Sequence, residues 1–199
     1  MKWSAKIGRF AGIDVFVHAT FPLLLVWFGY ISWLQTGSMA GVVSGIVLIL
    51  ILFLCVVLHE YGHALTARRF GIGTRHITLL PIGGIALLER MPKDPRQEIL
   101  VALAGPAVNV AIAAGLWIVL WLTGRPGALV SLDAGGGDLL RRVMTANVLL
   151  AVFNMLPAFP MDGGRVLRAF LSTRMDRVQA TRVAARIGQT LAVGLGLLG

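Results

Sequence analysis

Residues 50–69 read LILFLCVVLHEYGHALTARR, an apolar run that contains the motif His-Glu-Tyr-Gly-His. On a helix, His59 and His63 lie one turn apart on the same face, so both imidazoles can bind one metal ion. Glu60 lies beside the first histidine, and in H-E-x-x-H sites this glutamate activates water at the metal without binding the metal. Because ionisable side chains are costly in an apolar span, we interpret the three residues as part of a functional site and not as structural polar residues.

The composition indicates a membrane protein. Of the 199 residues, 57% are hydrophobic, and the mean hydropathy is +0.81. Several runs of about 20 apolar residues are long enough to cross a bilayer. We therefore predict an all-α polytopic protein of the cell membrane. Its fold would be a single domain, residues 1–199, that forms a transmembrane helix bundle with a small β-hairpin or sheet at the cytoplasmic side. The first apolar run lacks a small-residue cleavage site, so we expect it to stay in the membrane.

The net charge of +9 does not point to nucleic acid. Basic residues collect in the cytoplasmic loops of membrane proteins, and no basic stripe here is interleaved with aromatic residues. The lone cysteine, Cys55, excludes an intrachain disulfide and a cysteine-based zinc site within one chain. It lies one turn before His59, and we interpret it as a packed core thiol.

Hydropathy divides the chain into spans and surface segments. A basic, amphipathic or strand-like segment covers residues 1–14, and a basic amphipathic surface helix is predicted over residues 163–186. Four spans are predicted, followed by the start of a fifth apolar helix, at residues 15–34, 41–67, 97–122, 139–160 and 187–199. The loop at 123–138 is polar, and Gly135 to Gly137 lack the lysine of a phosphate loop, so we interpret them as a flexible connection.

Residues 70–95 are rich in glycine and proline and are not predicted to span. Two β-prone runs, at residues 76–80 and 85–88, flank Pro81-Ile-Gly-Gly and predict a hairpin. The free edge of such a hairpin could pair with an extended peptide. His76 lies within it and is predicted to be a surface histidine. For His18, near the start of the first span, two roles stay open: an interfacial histidine, or one that supports a site.

The distribution of Lys and Arg predicts the topology. Three lie in residues 1–14, six in 68–96 and six in 165–186, and the remaining Arg125, Arg141 and Arg142 belong to the opposite side. The positive-inside rule then places the N-terminus in the cytoplasm. The ends of the second and fourth spans therefore meet near the cytoplasmic face, which brings the histidine motif close to the sequence around Asp162.

Asp162 is the candidate third ligand. Catalytic zinc usually takes three protein ligands and one water, and His59 and His63 supply two of them. Position alone also allows Asp162 to be the N-cap of the following segment, but the shared depth with the two histidines favours the ligand. Asn154 lies two helical turns earlier. Its amide could donate to an oxyanion as a peptide carbonyl is attacked, or it could form an interhelical hydrogen bond.

These motifs together resemble a known family. The histidine motif in a span, followed by Asn154, Pro157, Asp162 and Gly163 in the pattern N-x-x-P-x-x-x-x-D-G, is similar to the site-2 proteases, which are intramembrane zinc metalloproteases. The Leu-Pro-Ile-Gly-Gly hairpin and the Ala-Gly-Pro-x-x-x-Asn third span also fit.

The resemblance implies one zinc ion per chain, bound by His59, His63 and Asp162, with Glu60 as the catalytic base and Asn154 beside the scissile carbonyl. It also implies that the partners are the lipid bilayer and a membrane-protein substrate with a transmembrane helix. Cleavage in this family often releases a transcription factor or degrades an anti-sigma factor.

The chain also departs from the family pattern. Family members usually have six spans, and some carry PDZ domains or nucleotide-binding CBS domains. The compact plan resembles the CBS-bearing branch, so we expect further spans after Gly199 and a nucleotide partner only through a later domain.

Two other functions would use the same residues. A metal transporter could use His59, His63 and Asp162 as a transit site, but it would need further ligands along a path to both faces. A membrane scaffold could hold a structural zinc, but such sites normally have four protein ligands.

Overall fold

Ten regular elements build the fold in the computed structural model, which describes residues 3–81, 83–125, 127 and 138–198. Within these residues, six helices and four strands are found, with the strands confined to two hairpins. Gly135 to Gly137, predicted to be a flexible connection, lie outside the described residues. The predicted helical class is thus found together with a four-stranded sheet.

The strands are β1 (Ser4–Phe10), β2 (Ile13–His18), β3 (Thr74–Leu80) and β4 (Gly83–Leu88). They lie in the order β1-β2-β3-β4, with antiparallel hairpins β1-β2 and β3-β4 joined by the parallel pair β2-β3. Because β4 is the last strand in this order, it is an edge strand. Ala11 and Gly12 both have positive φ, as the two-residue turn between β1 and β2 requires.

The helices are α1 (Phe21–Thr36), α2 (Met39–Arg69), α3 (Pro95–Leu122), α4 (Leu139–Asn154), α5 (Asp162–Leu171) and α6 (Arg177–Leu198). By length and composition, α2 and α3 are able to cross a membrane, and α1 is a shorter apolar helix. Large apolar side chains on these helices are exposed, among them Leu23, Val26, Trp27, Val43, Leu50, Leu54, Trp117 and Trp121.

The first predicted span began too early. Residues 15–18 belong to β2, where Val15 lies opposite Ile77 and Val17 opposite Leu79 of β3. The β-branched residues pair with a strand about 60 positions away, and α1 begins only at Phe21, with Pro22 in its first turn.

The C-terminal half also differs from the prediction. Helix α4 ends at Asn154 and not at residue 160, because the prolines at 157 and 160 cannot continue it. The predicted surface helix over residues 163–186 is divided between α5 and α6. The break covers residues 172–176. Asp176 precedes α6, and its carboxylate accepts hydrogen bonds from the N–H groups of Val178 and Gln179, which caps the start of that helix.

Helices α2 and α3 approach each other closely at Gly62. A Cβ atom added there would lie 2.6 Å from the carbonyl oxygen of Ala104 on α3, so a larger residue would push the helices apart. This close approach brings the histidine-bearing face of α2 against the middle of α3.

Candidate metal centre

Three ligand atoms converge between α2 and α5. The Nε2 atoms of His59 and His63 lie 3.1 Å apart, and Oδ2 of Asp162 lies 3.1 Å from the first and 3.0 Å from the second. All three side chains are buried, with 6%, 3% and 7% of the residue surface exposed. They form a group of metal-binding type in the part of the chain that the structure describes. The one-turn spacing predicted for the histidines is thus present on α2.

Asp162 is the first residue of α5, and Met161 occupies the N-cap position. Asp162 therefore does not occupy the N-cap position that its place in the sequence allowed, and its carboxylate faces the two histidines. The second oxygen, Oδ1, lies 3.5 Å from Nη1 of Arg165, one turn along α5. Gly164 allows this placement, because a Cβ there would lie 2.8 Å from the backbone of Ala158 in the preceding turn.

A chain of hydrogen bonds fixes the tautomer of His59. Nδ2 of Asn147 donates to the backbone carbonyl of Val143 at 2.9 Å, and a carbonyl can only accept. Oδ1 of Asn147 therefore accepts from Nδ2 of Asn109 at 2.8 Å, which leaves Oδ1 of Asn109 to accept from Nδ1 of His59 at 2.5 Å. The proton of neutral His59 thus sits on Nδ1, and its Nε2 presents a lone pair.

His63 is oriented in the same way by the backbone. Its Nδ1 lies 2.7 Å from the carbonyl oxygen of Val101 and donates to it. Two lone pairs and a carboxylate oxygen therefore point at one another in a buried site, an arrangement that a bound cation would stabilise.

The donor set fits zinc. Two imidazole nitrogens and one carboxylate oxygen leave a fourth position open, as catalytic zinc sites do. Zinc bonds of about 2.0–2.1 Å in a tetrahedron place neighbouring ligands about 3.3 Å apart, close to the separations found here. Gly105 on α3 leaves the space, since a Cβ at that position would lie 2.6 Å from Nε2 of His59 and also against His63.

Glu60 lies beside this group, outside the three-ligand cluster. Its Oε2 accepts a hydrogen bond from the backbone N–H of Ala86 on β4 at 3.1 Å. A Cβ at Gly84 would lie 2.8 Å from Cγ of Glu60, so β4 passes directly over this side chain. The edge strand thus holds the carboxylate at the border of the metal-binding group.

A cavity of about 640 Å³ joins these parts. Its walls include all three candidate ligands, Glu60, Asn154, Arg165 and residues 83–86 of β4. Nδ2 of Asn154 donates to the carbonyl of Leu150, one turn back on its own helix, at 3.0 Å. Asn154 therefore borders the cavity, and among the described residues its side chain makes no hydrogen bond to another helix, which was one of its two predicted roles.

The remaining singled-out residues lie elsewhere. Cys55 is buried against Leu48 and Val143, as predicted for a core thiol, and its Sγ lies 3.3 Å from Nδ2 of Asn147. Nδ1 of His18 is 2.8 Å from the hydroxyl of Thr20. His76 packs edge-on against Phe16.

Comparison with known proteins finds a matching family, relatives in sequence and a similar solved structure. The model of peptidase family M50 matches residues 47–133 and 130–195. A zinc metalloprotease of Methanocaldococcus jannaschii is 37% identical over 199 residues, which are all of this chain and 55% of that protein. Stage IV sporulation protein FB of Bacillus subtilis is 26% identical over 149 residues, covering 74% of this chain and 48% of that protein. A solved site-2 protease from M. jannaschii superimposes with a TM-score of 0.70 at 36% identity, covering 99% of this chain and 85% of that one.

The chain belongs to peptidase family M50, the site-2 proteases. The resemblance seen in the sequence is therefore confirmed, and the helical fold with its four-stranded sheet is that of the solved site-2 protease. The chain spans about half the length of these two relatives matched by sequence.

Sequence reasoning missed part of what surrounds the candidate metal centre. Asn109 entered only as the last residue of the Ala-Gly-Pro-x-x-x-Asn pattern, and its hydrogen bond to His59 was not predicted. Neither Asn147 nor the carbonyl of Val101 was singled out. The Ala-Gly-Pro-x-x-x-Asn pattern contained a usable signal, because Gly105 and Asn109 lie one turn apart on α3 and both face the histidines.

We predict that Gly105→Ala abolishes or weakens metal binding, because the added methyl group would occupy the space between the two imidazoles. The dissociation constant for zinc, measured by competition with a chelator, should rise at least about 10-fold. Gly115→Ala is the matched control: it lies on the same helix, and its Cβ would meet nothing within 4 Å. A Gly105→Ala protein that binds zinc as tightly as the Gly115→Ala protein would contradict this account of the site.

Proposed function

We propose that this protein is an intramembrane zinc endopeptidase that hydrolyses peptide bonds in transmembrane segments near the cytoplasmic face. One observation carries the proposal: two histidine lone pairs and the Asp162 carboxylate converge at 3.0–3.1 Å in a cavity that also holds Glu60. A buried metal-binding group with a carboxylate beside it is the minimum that metal-assisted hydrolysis needs.

The residues divide the chemistry among them. His59, His63 and Asp162 would hold zinc, which when bound supplies positive charge to polarise the peptide carbonyl and to acidify the attacking water. Glu60 takes the proton from that water and later gives it to the leaving amine. The N–H of Ala86 orients the Glu60 carboxylate for both transfers. Asn154 donates to the developing oxyanion after its amide leaves the carbonyl of Leu150.

We place the protein in the membrane as a multi-pass chain with a cytoplasmic N-terminus. Its support is the length and apolarity of α2 and α3, together with the basic loops between spans. Nη1 of Arg68 at the end of α2 donates to the carbonyl of Ala11 in the β1-β2 turn at 3.2 Å. The N-terminal sheet and the basic end of α2 therefore share one side, the side of the metal centre.

The substrate we propose is an unwound transmembrane helix that pairs with the outer edge of β4. The N–H of Ala86 points away from β3, because it donates to Glu60. A substrate strand added at this edge would run past Glu60 and along the cavity, and backbone pairing would hold it in extended form. The lipid bilayer is the second partner.

A transporter is not favoured by these observations. Among the described residues, a single group of three metal-binding side chains occurs, whereas a transit path needs several along its length. The open fourth position also argues against a closed structural zinc.

We predict that Glu60→Gln abolishes cleavage and retains zinc, since the glutamate removes protons and does not bind the metal. Parent and variant should each contain about one zinc per chain. Cleavage of a model transmembrane substrate in proteoliposomes should fall by about 10²- to 10⁴-fold in the variant. Full activity in the Glu60→Gln protein would overturn the proposed function.

We also predict that Ala86→Pro impairs cleavage while sparing zinc. Proline removes the one N–H that holds Glu60 and faces an incoming strand, and losing a hydrogen bond to a charged group should cost about 10- to 100-fold in turnover. Ala86→Gly, which keeps the N–H, is the control and should stay close to the parent. Unchanged cleavage by Ala86→Pro would count against a role for the β4 edge, and loss of zinc would point to a folding role instead.

A further inference from the structure

Helix α3 orients both histidines but supplies no ligand itself. Asn109 contacts Nδ1 of His59, and the carbonyl of Val101 contacts Nδ1 of His63. The third candidate ligand, Asp162, stands on α5, a short helix that follows an irregular turn. The position of α5 on α3 therefore decides whether the carboxylate reaches the two imidazoles.

One buried carboxylate ties α5 to α3. Glu98, in the first turn of α3, is 2% exposed. Its Oε1 accepts hydrogen bonds from both Nε and Nη2 of Arg168 on α5, with Nε at 2.9 Å. Its Oε2 accepts from Nη2 of Arg177, the first residue of α6, at 3.1 Å. Both oxygens are thus paired with a guanidinium, each from a different helix.

Arg168 makes a second contact, with Phe159 in the segment that precedes Asp162. Its guanidinium lies 5.6 Å from the ring centroid of Phe159, in the turn that leads into α5. The side chain therefore bridges Glu98 on one side and the residues just before Asp162 on the other. Two N–H groups on one carboxylate oxygen and a ring face fix the guanidinium plane more tightly than a lysine ammonium would be fixed.

A carboxylate buried at this place is costly. Removing a carboxylate from water carries a penalty of several kcal/mol that only well-formed ion pairs offset, and apolar residues of similar volume often stabilise a fold equally well. Arg177, by contrast, is 42% exposed at its side chain and also donates to the carbonyl of Pro92 at 3.1 Å. Arg177 therefore links α6 to Glu98 on α3, whereas Arg168 links α5, which carries the candidate ligand Asp162, to the same carboxylate.

We infer that Glu98 is a positioning residue for the metal centre: through Arg168 it holds α5 so that the Asp162 carboxylate faces His59 and His63. This inference rests on the proposed zinc site. It assigns to the first turn of α3 the same task that Asn109 and Val101 perform further along the helix, so that one helix positions all three ligands.

Two matched substitutions on the same carboxylate test the inference. Arg168→Lys and Arg177→Lys each keep the positive charge and lose the planar fork, but they act on α5 and α6 respectively. The dissociation constant for zinc is measured on the purified full chain by chelator competition, and the visible spectrum of the Co²⁺-substituted protein reports the geometry of the ligands. Arg168→Lys should weaken zinc binding at least about 10-fold and change the cobalt spectrum. Arg177→Lys should leave both within about twofold of the parent, since the hydrogen bonds of Arg177 join α6 to Glu98 and to the carbonyl of Pro92.

A second variant guards against misfolding. Glu98→Asp keeps the charge and withdraws it by one methylene, so it should reproduce the weaker zinc binding of Arg168→Lys. Equal zinc affinity in Arg168→Lys and the parent would overturn the inference, as would equal losses in the two lysine variants. Loss of folded protein in both Arg168→Lys and Glu98→Asp, with Arg177→Lys folded, would also overturn it, because the pair would then hold the fold as a whole.

The outcomes are separable from the proposed function. A parent protein that binds zinc but cleaves nothing would sink the protease and leave the positioning role intact. If the parent protein cleaves and Arg168→Lys leaves the zinc affinity unchanged, the proposed protease function stands and the positioning role of Glu98 is wrong.

Discussion

The hydrogen bond from His59 Nδ1 to Asn109 Oδ1 is the constraint on which the metal centre depends. It is anchored through Asn147 on the carbonyl of Val143, an acceptor that cannot reverse its role. The side-chain amides of Asn109 and Asn147 are therefore each held in one orientation, and the imidazole of His59 is held in one tautomer. The network links α2, α3 and α4. The packing of these three helices therefore determines which nitrogen of His59 carries the proton and which presents a lone pair.

Buried polar groups in an apolar helix bundle destabilise it unless each finds a partner, and here most of the partners lie on α3. Glu98, the carbonyl of Val101 and Asn109 lie along about three turns of that helix. Glu98 accepts from Arg168 on α5, whereas the carbonyl of Val101 and Asn109 accept from His63 and His59. Gly105 lies among them and leaves room for a metal ion. Asn109 of this helix lines the cavity together with Glu60 and residues 83–86 of the edge strand β4.

Local patterns predicted more of the candidate site than of its surroundings. The one-turn spacing of His59 and His63 follows from helical periodicity. Asp162 was selected because the positive-inside rule places it at the same membrane depth as the histidine motif. The support of the histidines could not be read in this way, because Val101 contributes a backbone carbonyl and Asn147 acts two contacts away. The pairing of Val15 and Val17 with β3 was missed for a related reason: an apolar run gives no sign of a partner strand about 60 residues later, so residues 15–18 were predicted to begin the first span.

X-ray absorption at the zinc edge tests the central claim most directly, namely that His59, His63 and Asp162 present their lone pairs to one zinc ion. The zinc-loaded protein should show a first shell of nitrogen and oxygen at about 2.0–2.1 Å, with the outer-shell scattering of two imidazoles and no sulfur. In His63→Ala the imidazole scattering should fall by half. A shell that contains sulfur, or one that His63→Ala leaves unchanged, would contradict the account.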